Sequence, residues 1–360
     1  MKYLGMDVHS KATAWCLLDE RGQVSGQGRV ATTVAGLSTL VRELGGGEGL
    51  LAAQEVGTQA YFIHDIMASC GVKLLSFNAQ QFRMIAASRK KTDRRDAWWL
   101  ARALQTGMYP EPVYLPTGRI RQLRSLLSQR DAVLGERRRW VIRARANLRA
   151  AGHAAAVSRT TFPRALEELL ERREGLETHL HDALSLCQRQ VVSLSRELGR
   201  LEAILREEAA ALEDVVRLMT IPGVGRTTAL VIFASVGEVG RFPNARKLCA
   251  YAGLVPTVHQ SGQCARNGHI TKQGSSRLRS VLVQASHVVY GRSRSPDSEP
   301  LRESIERVHT RSQRKKIALV AGARHLLRIA FYVLRDKEPY DAERLRKRVA
   351  EADGSAQAAA

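Results

Sequence analysis

Short apolar runs alternate with helix-spaced stretches in the first third of the chain. Tyr3-Leu4-Gly5-Met6 reads as a strand that runs into Asp7, and Thr13 to Leu18 as a second strand. The turn Asp19-Glu20-Arg21-Gly22 leads into a third strand through Val30. Helical spacing covers Ala35 to Leu44 and stops at Gly45-Gly46-Gly47. Leu50 to Gln54 is another apolar strand, ending at Glu55. A helix from Ala60 to Cys70, Gly71 and a strand from Val72 to Phe77 follow. Three antiparallel strands, then a helix and parallel strands, predict an RNase H-like layered α/β domain over residues 1–115, although pattern alone leaves other α/β orders open. The chain is helical from Lys90 to Gln105, and Pro110, Pro112 and Pro116 mark a linker.

The pattern then becomes helical throughout. Residues 117–150 hold ten arginines against two acids, Asp131 and Glu136, with Leu123, Leu126, Leu127 and Leu134 as the apolar stripe. Beyond Pro163, Leu184, Cys187, Val191, Leu194, Leu198, Leu201 and Leu205 alternate spacings of three and four, the seam of a coiled coil. That seam fits either a hairpin with the basic helix or a second subunit. Residues 116–213 are thus a basic helix plus coiled coil, 214–345 a compact and mostly helical domain, and 346–360 a disordered tail.

Lys and Arg number 56 against 35 Asp and Glu, a net charge of +21, which points to a polyanionic partner because phosphate contacts release counterions. The clustering of that charge favours nucleic acid over a membrane surface. Five scattered cysteines without a Cys-x-x-Cys pair predict a reduced, cytoplasmic protein with neither structural zinc nor disulfides. The N-terminus lacks an apolar signal core, and the pattern predicts no run of membrane-spanning length.

Two groups of residues carry chemistry. Asp7 and Glu55 each follow an apolar strand, where α/β sheets present ligand groups. Asp93 and Asp96, three apart in Lys91-Thr92-Asp93-Arg94-Arg95-Asp96-Ala97, share one helix face. Four carboxylates brought together repel unless a cation neutralises them, so the implied cofactor is Mg²⁺ or Mn²⁺. Two such ions ~4 Å apart serve phosphodiester chemistry. Taken singly, each acid reads first as an ordinary surface charge or helix cap; the two strand-end positions and the Asp-x-x-Asp spacing shift the balance.

In the C-terminal group, Ile221-Pro222-Gly223-Val224-Gly225 lies between apolar helices, and its Gly223 and Gly225 suit either a phosphate contact or a plain turn. Ser261 in Val258-His259-Gln260-Ser261-Gly262 is placed in an accessible loop. Lys272, Arg277 and Arg279 are candidates to hold a scissile phosphate, or else form a solvated basic face. Ser275 and Ser276 read as helix N-caps. Arg124, Arg130 and Arg137 of the arginine-rich helix complete the candidate nucleic-acid contacts.

The ordered set Leu4-Gly5-Met6-Asp7, Glu55 with Gly57, Lys91 to Ala97, Ile221 to Gly225, Ala252-Gly253-Leu254-Val255-Pro256 and Ser261-Gly262 resembles the DEDD-type insertion-sequence transposases. That family, insertion-sequence family one-ten, includes Piv-type DNA invertases and bridge-RNA-guided recombinases. The resemblance implies a RuvC-like N-terminal domain with Asp7, Glu55, Asp93 and Asp96 as a metal-binding tetrad. It also implies that Ser261 is a nucleophile forming a phosphoserine link to DNA, in a composite site within a dimer or tetramer. Some members use a structured guide RNA encoded beside the gene. A metal-dependent RuvC-like nuclease and a Piv-type invertase working without RNA are the alternative readings.

Overall fold

The computed structural model describes residues 1–83, 92–153, 162–172, 176–261, 264–293 and 295–344. It divides into two compact units, Met1–Pro116 and Thr117–Ala360.

The first unit is built on one five-stranded sheet. β1 (Lys2–Val8), β2 (Ala12–Leu18) and β3 (Val24–Ala31) form an antiparallel meander. α1 (Val34–Glu43) crosses to β4 (Leu50–Glu55), and α2 (Ala60–Ser69) to β5 (Lys73–Phe77), both parallel to β1. The sheet order is β3-β2-β1-β4-β5, so β1 sits at the centre. A short α3 (Ala79–Arg83) and then α4 (Asp93–Thr106) complete the unit. The strands and helices expected from the pattern are present, except that α4 begins at Asp93, behind the extended Thr92, and not at Lys90; residues 84–91 lie outside the described residues.

Strand periodicity sorts the two faces of this sheet. Leu4, Met6, Leu17 and Ala52 face α1 and α2, packing on Leu37, Val41, Ile63 and Met67. Cys16 and Leu18 face the other way, onto Ala97 and Ala101 of α4, and Ala53 and Phe77 pack on Leu100 and Leu104. The α4 stripe Ala97, Leu100, Ala101, Leu104 follows the three-four spacing of a one-sided amphipathic helix. Its two alanines let the helix approach the sheet closely, and Gly5 makes the approach possible. A Cβ at Gly5 would lie 1.9 Å from the Ala97 carbonyl oxygen and 2.5 Å from the Ala101 nitrogen.

The second unit begins with α5 (Gly118–Ala150), which pairs with α7 (Thr178–Ala210); both are 33 residues long. The seam therefore closes as an intrachain hairpin with the basic helix. Leu184, Cys187, Val191 and Leu205 are buried along it, with Leu123, Leu127, Ala144 and Leu148 from α5. At one end, α6 (Phe162–Arg172) adds Leu166 to a small core with Leu148, Leu180 and Leu184. At the other, Leu123, Leu127, Leu205 and Ala209 join the main core of the C-terminal helices. Those helices are α8 (Glu213–Met219), α9 (Arg226–Val236), α10 (Ala245–Tyr251), α11 (Ser276–Gly291), α12 (Glu299–Ser312) and α13 (Lys315–Asp336). A β-hairpin, β6 (Pro256–Ser261) and β7 (Cys264–Ile270), interrupts them; the pattern does not predict it.

α13 corrects one expectation: it is long and apolar enough to cross a membrane. Its apolar residues are spent inside the protein instead, with Ala323, Leu326, Leu327, Ala330 and Phe331 in the main core of this unit.

The Gly5 contact yields a direct test. Gly5→Ala drives a methyl group into the α4 backbone, which cannot rotate away as a side chain can. Overpacking of this kind costs about 3 kcal/mol, to be read as a lowered denaturant midpoint. Gly57→Ala, whose Cβ meets nothing within 4 Å, is expected to stay within about 0.5 kcal/mol of the parent.

Candidate active site

The sheet register aligns functional residues in one row across the first unit. Asp7 of β1 pairs with Ala14 of β2, and Ala14 pairs with Arg29 of β3. On the other side Met6 pairs with Gln54 of β4, so the next step of the parallel register sets Glu55 beside Asp7. Alternation puts Asp7, Glu55 and Arg29 on the face that carries α4. Asp93 and Asp96 enter from above that face, in the first turn of α4 behind Thr92. Acidic side chains are favoured there by the exposed N–H groups of the helix start. The four carboxylates therefore come to one end of one sheet face by two routes: strand ends and a helix start.

Their surroundings differ. Burial pushes the Asp7 carboxyl above the usual carboxylate range, His9 pulls it back, and the charges of Asp96 and Asp93 push it up again. For Asp93 the upward push of burial is outweighed by its hydrogen bond and ion pair with Arg29 and by His9, which hold it below the usual range. His9 is the residue that sequence reasoning missed. Its Nε2 lies 3.2 Å from Asp7 Oδ2 and 3.5 Å from Asp93 Oδ1. Among the described residues, ligand atoms of Asp7, His9 and Asp93 lie within 4.8 Å of one another, a group to which Glu55 and Asp96 do not belong. Two carboxylate oxygens and one imidazole nitrogen at this spacing, crowded by a further aspartate, fit a divalent cation. The signal was present as Asp7-x-His9, two residues apart at a strand end.

Glu55 is held in place by the strand that carries it. The buried amide of Gln54 donates to the Ala60 carbonyl (3.1 Å) and to Ser76 Oγ (3.0 Å), and the Val56 N–H donates to Phe77 O (2.9 Å). These bonds tie the turn after Glu55 to β5. Beside the row, Gln27, Gly28, Arg29, Thr92, Asp93, Arg94 and Ala14 line an open groove of about 760 Å³. Arg94 donates to Gln27 across it at 2.6 Å. Its β3 wall carries Arg29, and its α4 wall carries both Asp93 and Arg94.

In the second unit, Ser261 is the last residue of β6, paired with Cys264, rather than part of a loop. The side chain of Ser261 lies outside the described residues, as do residues 262 and 263. Gly223 follows α8 in the left-handed region (φ 79°), and a Cβ there would press on Ala285 O and Val289 of α11. Its role is close packing. Gly225 is the exposed N-cap of α9 with open space around it, and α9 has no side-chain cap. Ser275 caps α11, accepting from the Leu278 N–H at 3.2 Å, as expected of a serine there.

The basic candidates have intramolecular partners. Arg124 donates to the last carbonyls of α9, Ala234 O at 2.7 Å and Ser235 O at 3.2 Å. Arg130 pairs with Glu202 at 2.5 Å, and Arg137 donates to Ser195 Oγ at 2.7 Å, so both stitch α5 to α7. Arg277 pairs with Asp131 at 2.6 Å. Arg279 donates to the carbonyls of Ala252, Gln273 and Gly274, clasping the loop before α11 to the end of α10. Lys272 sits in that loop with a left-handed backbone (φ 55°). Arg138, Arg139, Arg143 and Arg149 are among the exposed arginines of α5.

Two family models match the chain. One, described as a transposase of the IS110 DEDD type, covers residues 4–152; the other, "Transposase IS116/IS110/IS902 family", covers 215–301. The first spans all four carboxylates and the second spans Ser261. The chain belongs to the IS110 family of transposases. It is 28% identical over 295 residues to the transposase for insertion sequence element IS1111A of Coxiella burnetii, 80% of this chain and 78% of that one. A putative transposase of Sinorhizobium fredii is 26% identical over 287 residues, 79% of this chain and 70% of that one. The pilin gene-inverting protein of Moraxella bovis is 32% identical over 126 residues, 34% and 38% of the two chains. Membership makes this IS110-family chain a DNA recombinase or transposase, and its DEDD domain implies use of a divalent metal.

For this family member, the hydrogen bonds of Arg124 separate stability from nucleic-acid binding. Arg124→Ala leaves two carbonyls at the end of α9 without their cationic donor, at a cost of about 2 kcal/mol. Thermal unfolding is expected to show that loss. DNA affinity of the folded variant, followed against salt, is expected to keep the parent slope.

Proposed function

We propose that this transposase cuts and rejoins DNA through Ser261, assisted by a divalent metal held by Asp7, Glu55, Asp93 and Asp96 in a RuvC-like domain. The observation that carries the reading is the cluster of Asp7 and Asp93 with His9, with Asp96 close enough to press on the Asp7 charge and Glu55 at the end of the neighbouring strand, beside a groove lined by Arg29 and Arg94. The sheet order β3-β2-β1-β4-β5, with an antiparallel meander followed by parallel strands, supports the RNase H-like assignment. Mg²⁺ or Mn²⁺ suits the oxygen-rich donor set, and when bound it would polarise the scissile phosphate and stabilise the leaving oxygen.

In this reading Ser261 Oγ bonds to phosphorus as one bridging P–O bond breaks. The serine proton is lost to solvent, and the departing oxygen takes one up to become a strand-terminal hydroxyl. The phosphoserine ester conserves the energy of the phosphodiester, so rejoining needs only a hydroxyl from the partner strand to attack it and release the serine. Ser261 and the carboxylates belong to different compact units, and a composite site shared between subunits of a dimer or tetramer is part of the proposal. So is a structured guide RNA, for which the support is family membership and the net charge of +21. The relatives named for inversion of the pilin gene keep the RNA-free invertase as the alternative.

Trapping on end-labelled DNA distinguishes the nucleophiles. The parent protein with Mn²⁺ is expected to yield a covalent protein–DNA adduct, Ser261→Ala none, and Asp93→Asn at least a hundredfold less. Strand cleavage by Ser261→Ala at the parent rate would instead mean that water is the nucleophile, as in a RuvC-like nuclease. Protein purified from cells carrying the gene with its flanking DNA is expected to hold one discrete RNA mapping beside the gene. Random cellular RNA would favour the invertase reading.

A further inference from the structure

We infer that His9 is a metal ligand, so that the first unit presents a mixed imidazole–carboxylate site rather than one of carboxylates alone. The inference rests on the metal-dependent reading of this transposase and adds to it a residue that the four-carboxylate description omits.

Three observations carry it. First, the position of His9: its Nε2 faces both Asp7 Oδ2 (3.2 Å) and Asp93 Oδ1 (3.5 Å), so one ring nitrogen and two carboxylate oxygens already converge on a single point. Second, the backbone that carries it is fastened. The Thr32 hydroxyl donates to the His9 carbonyl at 2.8 Å, and Thr32 Oγ1 lies 2.9 Å from Thr13 Oγ1. Both threonines are buried, Thr13 fully and Thr32 at 7% exposure. This buried pair of hydroxyls anchors the turn between β1 and β2, since Thr13 orients Thr32 and Thr32 holds the chain at His9. The Thr32 N–H adds a bond to Lys11 O at 3.1 Å in the same turn. Third, the ring itself is half exposed, so no core packing accounts for its orientation; the two carboxylates do.

The chemistry follows from the donor type. Mg²⁺ takes oxygen ligands and keeps its waters, whereas imidazole suits transition-metal ions, the later ones such as Ni²⁺ and Zn²⁺ most strongly. A histidine among the donors therefore tilts the site away from Mg²⁺ and toward transition-metal ions, of which Mn²⁺ shares the preference of Mg²⁺ for the carboxylates around it. Because Nε2 is the coordinating nitrogen, the remaining proton belongs on Nδ1. His9 would act by binding and orienting the cation between Asp7 and Asp93.

Mn²⁺ is the probe. With the full-length protein, pulsed electron paramagnetic resonance of bound Mn²⁺ is expected to show the ¹⁴N coupling of a directly coordinated imidazole. His9→Ala should lose that coupling and bind Mn²⁺ about tenfold more weakly, while its Mg²⁺ affinity changes less. The half-exposed ring leaves no cavity, and an unchanged melting temperature in chelator checks the fold. Tight Mn²⁺ without ¹⁴N coupling in the parent, or coupling that persists in His9→Ala, overturns the role of His9 and leaves the carboxylate site standing. Absence of tight Mn²⁺ binding in the parent overturns the metal-site reading itself, and with it this one.

Discussion

The contact on which the carboxylate-bearing face depends is backbone against backbone: α4 lies directly on the central strand at Gly5. No other residue type has room there, since a Cβ would stand 1.9 Å from the Ala97 carbonyl oxygen. Asp7 is two residues along the strand from this contact, and Asp93 and Asp96 are within about one turn of it along the helix. The close approach sets the height at which the helix carboxylates stand over the strand carboxylates. Alanines at 97 and 101 serve the same end as the glycine; leucine at either position would lift the helix off the sheet.

This arrangement stores electrostatic cost at the site. Three aspartates face one another, and burial acts against ionisation of Asp7. Within the described residues the cost is offset locally by Arg29 and His9, and a divalent cation offsets it more completely. Stability at this point is thus exchanged for a concentration of negative charge, with Arg29 and Arg94 in the neighbouring groove. Active sites are where such pairings of like charge are tolerated.

The second unit applies its charge differently. The arginine-rich α5 is read in one dimension as a nucleic-acid helix, yet Arg124, Arg130 and Arg137 face inward to α9 and α7. A 33-residue helix has room for both uses: one face stitches the hairpin, and Arg138, Arg139, Arg143 and Arg149 face solvent. Composition counts arginines without regard to face. Only the partner helix determines which of them remain available to phosphate.

Much of the first unit was legible from pattern because its signals are local. Strand alternation, the glycine stops and the Asp-x-x-Asp spacing each operate within a few residues, and they point to Asp7, Glu55, Asp93 and Asp96 from the sequence alone. The Ser275 cap was legible for the same reason. The hairpin that carries Ser261 was not, because Thr257 to Gln260 shows no apolar alternation and two short strands stabilise each other only by pairing. Nor could the sequence choose between a seam that folds back and one that recruits a second chain, since both bury the same leucines. His9 was hidden for a related reason: a histidine after a strand means nothing until a helix far along the chain brings Asp93 to its ring. Local propensity and periodicity belong to the sequence; convergence of distant side chains belongs to the packing of α4 on the sheet.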